Sequence, residues 1–263
     1  MMRTTCFFFS LLSSVLLAHG KVSVLEWPEK KITPVLRNTA MPELGDSPVE
    51  KILEKYYKNR TGGQGNWDKI ESVILTGELK TKDSKLALNA YQKKPTFIKL
   101  VLSNKEVHDS ITLSYDGKVA WKQMGSRAEP ENMDDTEARR FIHNARFDNY
   151  LFYPFAEGKR ISHVATVPTE GAICHQMRVV LDTGYQVDYF FDIRTFLEIK
   201  VVNTDLRSGA VSSIIYKDYD LEQPIPIAKK VKSFEEGEWV STLLLDNIKL
   251  NSGIMPWMFS RPE

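Results

Sequence analysis

From Ile70 onward, apolar and polar side chains alternate with a period of two, the spacing of a β-strand that covers one face. Val73, Leu75 and Leu79 alternate with Thr76, Glu78 and Lys80. Leu86, Leu88 and Ala90 do the same with Asn89, Tyr91 and Lys93, and Ile98, Leu100 and Leu102 with Lys99 and Ser103. Polar or proline-bearing turns such as Thr81-Lys82-Asp83 and Lys93-Lys94-Pro95 separate the runs. Short strands with close turns predict a meander of antiparallel neighbours. The sharpest turn is Asp116-Gly117, which predicts a two-residue type I′ hairpin. Ile111, Leu113, Tyr115, Val119 and Trp121 are expected on its one apolar face, with the other face wet.

The same period returns later in the chain. Ile173, His175, Met177, Val179 and Leu181 precede a turn at Asp182-Thr183-Gly184, and Tyr185, Val187, Tyr189 and Phe191 follow it. A further turn at Asp192-Ile193-Arg194-Thr195 leads into Leu197, Ile199 and Val201. Val211 to Ile215, Ile227 to Phe234 and Trp239 to Leu250 bring the expectation to about ten or eleven strands.

Two stretches follow a helical period instead. Ser47-Pro48-Val49-Glu50 is a capping box with proline at N1, and Val49, Ile52, Leu53, Tyr56 and Tyr57 share one face before Thr61-Gly62-Gly63 ends the helix. Asp134 caps a second helix whose Ala138, Phe141, Ile142 and Ala145 form a single apolar face. Phe147, Tyr150, Phe152, Tyr153 and Phe155 then crowd around Pro154, too apolar a segment for an ordinary surface loop, and are expected to cover something.

A sheet this large must curl or close. The expected fold is mainly β (α+β): a large curved antiparallel sheet forming an unclosed β-barrel covered by two amphipathic helices. Residues expected to line an apolar cavity between sheet and helices are Leu75, Leu88, Leu100, Leu113, Trp121, Phe141, Met177, Tyr189, Phe191 and Ile199.

Composition narrows the function classes. Arg3, the apolar run Cys6 to Leu17 and the small residues Ala18 and Gly20 read as a signal peptide over 1–20, cleaved near Gly20. Residues 21–46 carry Pro28, Pro34 and Pro42 without a sustained period and read as an extended lead-in. A single domain is expected over 47–263. The chain has 35 basic and 34 acidic side chains, and loss of Arg3 with the signal would balance them. Neutrality with interspersed signs argues against nucleic acid as a partner. With Cys6 gone, Cys174 is alone and reads as a small buried hydrophobe on a strand.

No nucleophile elbow, zinc-protease motif, Cys-x-x-Cys or phosphate loop occurs, and Gly62-Gly63-Gln64-Gly65 follows a helix, where it serves as a stop. His108, His143, His163 and His175 show no metal-ligand spacing along the chain, and Asp134-Asp135 is explained by helix capping. No catalytic residue, metal site or cofactor is therefore expected.

Leu-Thr-Gly at 75–77, Tyr91-Gln92-Lys93, Tyr115-Asp116-Gly117-Lys118-Val119-Ala120-Trp121, Tyr189 to Lys200 and Lys217-Asp218-Tyr219 occur in an order that resembles the outer-membrane lipoprotein-sorting family, the LolA/LolB-like superfamily. The resemblance spans roughly residues 48–260. It implies an unclosed barrel with helices over an apolar cavity, a periplasmic location, and a lipid acyl chain or lipidated protein as partner. Transient contact with an envelope membrane and a monomeric state are expected. The alternative is a cell-envelope interaction or scaffold protein whose barrel is filled by its own side chains.

Overall fold

The computed structural model describes residues 44–61, 66, 69–104, 106–147, 149–152 and 158–262. The expected signal peptide, the expected lead-in up to residue 43, the expected glycine stop after Thr61 and the aromatic residues Tyr153 and Phe155 lie outside them. Helix α1 (Pro48–Arg60) opens as expected: Ser47 Oγ accepts from the Glu50 amide, and the Glu50 carboxylate accepts from the Ser47 amide. Helix α2 (Asp135–Asn144) repeats the device with Asp134 and Glu137. Each box satisfies amide groups that the first helical turn leaves without partners.

The strands are β1 (Ser72–Thr81), β2 (Lys85–Lys93), β3 (Phe97–Asn104), β4 (Asp109–Tyr115), β5 (Ala120–Met124) and β6 (Glu131–Asn132) before α2. After it come β7 (Lys159–Thr169), β8 (Ala172–Leu181), β9 (Tyr185–Asp192), β10 (Glu198–Asp205), β11 (Val211–Asp220), β12 (Ile227–Glu235) and β13 (Glu238–Leu250). They form one antiparallel sheet ordered β6-β5-β4-β3-β2-β1-β13-β12-β11-β10-β9-β8-β7. Two meanders, β1–β6 and β7–β13, are joined where β1 pairs with β13, and β6 and β7 are the free edges of the open sheet.

The described residues thus hold thirteen strands rather than ten or eleven, and the two additions are the two edges. Both were hidden for the same reason. An edge strand carries polar residues and irregularities that discourage further pairing, so its alternation is broken. β6 is only Glu131–Asn132, while β7 has Pro168 near its end and a bulge between His163 and Ala165.

Register puts apolar residues in rows across the concave side. Leu75, Ala90, Leu100 and Leu113 form one row, and Leu88, Leu102 and Ile111 form the next beside Gly77. Gly77 has a steric reason to be glycine. A bulge falls between Thr76 and Gly77 in the pairing with β13, and a Cβ on Gly77 would stand 2.1 Å from the Leu244 carbonyl oxygen.

The Asp116-Gly117 hairpin corrects the expectation in two ways. Tyr115 pairs with Ala120, so the loop has four residues, and only Gly117 among them has positive φ. Asp116 Oδ1 accepts from the amides of Lys118 and Val119, making the side chain part of the turn. A hairpin loop with an even number of residues pairs odd positions with even ones. Trp121 therefore lies opposite Ser114, on the face away from Leu113. That convex face is not wet. The chain end folds over it as a 3₁₀ turn (Pro256–Phe259), whose Phe259 is fully buried and contacts Phe97. The Phe259 carbonyl accepts from Trp121 Nε1 at 2.7 Å and from Ser114 Oγ at 2.8 Å, and Lys99 Nζ donates to the Met258 carbonyl.

Two substitutions check this architecture by chemical denaturation. Gly77→Ala should cost about 1–3 kcal/mol through the clash with Leu244, as overpacking does. Trp121→Ala should cost about 3–5 kcal/mol, because it empties a site 1 % exposed and removes one of the two hydrogen bonds to the Phe259 carbonyl. A Trp121→Ala chain as stable as the parent would show that the terminal turn does not pack there.

Candidate functional site

The concave face is apolar, and two helices lie on it. Under α2, Phe141 and Ala145 are fully buried against Leu79, Leu88, Leu100, Leu102 and Leu113. Under α1, Leu53, Tyr56 and Tyr57 pack with Met177, Val179, Tyr189 and Phe191, joined by Leu151 and Phe152. Tyr57 stacks on Phe152 with ring centroids 5.3 Å apart, so the part of the aromatic segment that is described does cover the sheet. Tyr216 and Ile227 pack against both clusters and connect them.

The ten residues expected to line a cavity separate accordingly. Leu88, Leu100, Leu113 and Phe141 belong to the cluster under α2, with Leu75 packed at its margin. Phe141 is on the underside of the helix rather than on the sheet. Met177, Tyr189 and Phe191 belong to the cluster under α1. Trp121 sits on the convex face, as described. Ile199 is the extra residue of a bulge, since Glu198 pairs with Phe191 and Lys200 with Phe190, and it joins neither cluster.

That bulge has a larger consequence. Leu197, Ile199 and Val201 alternate as if all three faced inward, yet the inserted residue shifts the phase. Val201 still pairs with inward Tyr189, which keeps Asn203 and Asp205 on the concave face, but Glu198 rather than Ile199 pairs with inward Phe191. Strand alternation alone holds no signal for this, because an unpaired residue is visible only against the partner strand.

The inward polar residues bind the helices to the sheet. Glu198, 5 % exposed, accepts from Tyr56 Oη of α1 and from Asn149 Nδ2 at 2.6 Å, and its backbone carbonyl accepts from Tyr219 Oη at 2.8 Å. Burial and then the Glu198 charge push the Tyr56 phenol well above its usual range, so it stays a donor. On α2, Arg139 pairs with Asp205 and lies over the Tyr185 ring. At the edge of the helix, Lys122 Nζ of β5 contacts both Glu137 oxygens, at 2.6 and 2.7 Å.

His143 completes the α2 contact. Its ring stacks on Tyr185 at 3.8 Å, its Nε2 is 3.2 Å from Asn203 Oδ1, and Tyr150 Oη is 3.0 Å from its Nδ1. Burial lowers its pKa to about 4; the Asn203 hydrogen bond and Asp205 oppose the shift, while Arg139 and Arg146 add to it. A cleft of about 180 Å³ opens beside it, lined in part by Arg140, Tyr185, Asn203, Ser212 and Glu235. Among the described residues no three His, Cys, Asp or Glu side chains gather as a metal site, and no helix is long and apolar enough to cross a membrane.

The His143 environment sets a pH dependence. With a folded pKa of about 4 against about 6.5 for a free imidazole, the unfolded chain binds the extra proton between those values. Stability from this group is thus level above pH 6.5 and falls as pH drops towards 4, by about 3 kcal/mol in all. Denaturation of the parent and of His143→Gln across pH 4–7.5 checks it: the parent should lose more stability on acidification than the variant.

Comparison with known proteins bears on the fold. No protein-family model matches this sequence, and no curated protein matches it. Solved structures do. A LolA superfamily protein from Nitrosomonas europaea is 14 % identical, with a TM-score of 0.55 over 82 % of this chain and 98 % of its own. A proposed outer membrane lipoprotein-sorting protein domain from Vibrio parahaemolyticus is 15 % identical, with a TM-score of 0.54 over 79 % and 95 %. A DUF1329 family protein from Desulfovibrio piger is 9 % identical, with a TM-score of 0.60 over 82 % and 98 %. The open antiparallel sheet with its two inward helices is therefore the half-barrel fold of the LolA superfamily and of the outer membrane lipoprotein-sorting domain.

Proposed function

We propose that this chain is an exported, non-enzymatic binding protein that buries an acyl chain, of a lipid or of a lipidated protein, between the concave sheet face and α2. The observation that carries the reading is the pairing of apolar rows on β1–β4 with a helix held at its edge by polar ties. An acyl chain gains about 0.8 kcal/mol for each methylene removed from water, so an apolar face supplies affinity without any special group. Phe141 and Ala145 now occupy that face, so uptake requires α2 to move away and the chain to take their place. Contacts through ion pairs suit such a cover, because water can solvate both partners once they part. The fold shared with lipoprotein-sorting proteins supports this reading, together with the signal-like first twenty residues. The mature chain would act in the periplasm as a monomer, touching an envelope membrane transiently and using no cofactor.

One observation favours a second reading. Leu79, Ile98, Leu102, Leu113 and Phe141 are all under 2 % exposed, which is the packing of a filled barrel. In that case the protein is a scaffold of the cell envelope without lipid cargo.

Native mass spectrometry of the purified chain, together with uptake of a fluorescent fatty acid, separates the two. The carrier reading expects co-purifying lipid or saturable uptake, faster in Glu137→Gln, where the tie to Lys122 is weakened. No lipid, no uptake and no effect of Glu137→Gln would leave the scaffold.

A further inference from the structure

We propose that His163 and His175, with the thioether of Met177, form a binding site for a soft monovalent metal ion, copper(I). Nothing along the chain suggests it, because the residues come together only through strand pairing. His163 of β7 pairs directly with Met177 of β8, and Thr166 pairs with His175. Met177 and His175 are two positions apart on β8, so both imidazoles lie on the concave side at the free edge of the sheet. Their ring centroids are 5.3 Å apart, with the planes inclined at 74°.

That separation has a chemical meaning. Imidazole nitrogens stand about 2.0–2.1 Å from a tetrahedral metal ion, which places two coordinated ring centres about 5.2 Å apart. The rings already have this spacing. His163 Nε2 is sealed from solvent and has no hydrogen-bond partner, an orphan of the kind that calls for an explanation. On His175, Nδ1 lies 3.4 Å from Thr166 Oγ1, leaving Nε2 as the ligand atom. Met177 is fully buried on the same face, where its sulfur costs nothing to desolvate.

The donor set selects the ion. Two imidazoles suit several transition metals, but a thioether favours copper(I) over the harder divalent ions. Charge points the same way. The Lys55 ammonium acts electrostatically on His175. The same ammonium repels a divalent ion twice as strongly as a monovalent one. Cys174, the nearest competing sulfur in sequence, points to the other face, paired opposite Asp192 and Val167.

The test uses the purified chain carrying Cys174→Ala, titrated anaerobically with copper(I) against a chromophoric chelator. One ion per chain is expected, bound at least about tenfold more weakly after His163→Ala or His175→Ala. Met177→Leu keeps the volume and removes the sulfur, so it should weaken copper(I) and leave zinc binding unchanged. X-ray absorption of the copper-loaded chain should show nitrogen and sulfur neighbours. Where an alanine variant fails to fold, silver(I) added to the otherwise unaltered chain must shift the imidazole resonances of both histidines. Copper(I) affinity unchanged by the histidine substitutions, or silver(I) leaving both imidazoles unmoved, overturns the proposal.

Discussion

An antiparallel sheet whose two edges never meet has a concave apolar face that nothing in the sheet itself can bury. Strands pair with strands, but β6 and β7 stay apart, and the rows running through Leu75, Leu88, Leu100 and Leu113 face inward. Covering them is the task that the rest of the chain performs. α2 takes the half built from β1–β5, and α1 with Leu151 and Phe152 takes the half built from β8–β10. Both helices are short and mostly polar, so their stability comes from this burial rather than from helical propensity. Sheet and helices are thus conditional on each other.

The two covers are not held alike. α1 sits over a buried carboxylate, Glu198, whose hydrogen bonds from Tyr56 and Asn149 lie deep in the interior. Parting them would leave a charge in a site 5 % exposed, which is among the costlier things a protein can do. α2 is fastened partly at its margin, where Lys122 and Glu137 are 17 % and 14 % exposed and can regain water. α2 also has buried ties, Arg139 to Asp205 and His143 to Asn203, so the two covers differ at the margin rather than in the interior. The buried, uncharged His143 ties α2 to Asn203 and adds a reason for acid to loosen that side.

Much of this was legible along the chain. The capping box in Ser47-Pro48-Val49-Glu50, the Asp134 cap and about ten or eleven strand runs are visible in the residues. The edges were not, because protection of an edge works by breaking the pattern that reveals a strand. Alternation places Trp121 and Ile199 on the cavity face for a related reason. Alternation gives relative facing within one strand, whereas a turn length or a bulge sets how that strand aligns with the next. A single inserted residue exchanged Ile199 for Glu198 at the inner face and so changed the chemistry beneath α1.

The class of fold, the two amphipathic helices and the family resemblance through Tyr115 to Trp121 and Tyr189 to Lys200 are readable from the residues alone. These are local properties: a period, a cap or a turn residue acts within a few positions. The packing of Trp121 under the chain end, the anchoring of α1 by Glu198 and the meeting of His163 with His175 emerge only in the folded chain. Each of these depends on pairing between strands or on a segment distant along the chain. Such pairings are fixed by the joint burial of many residues, and no short stretch of sequence carries that information.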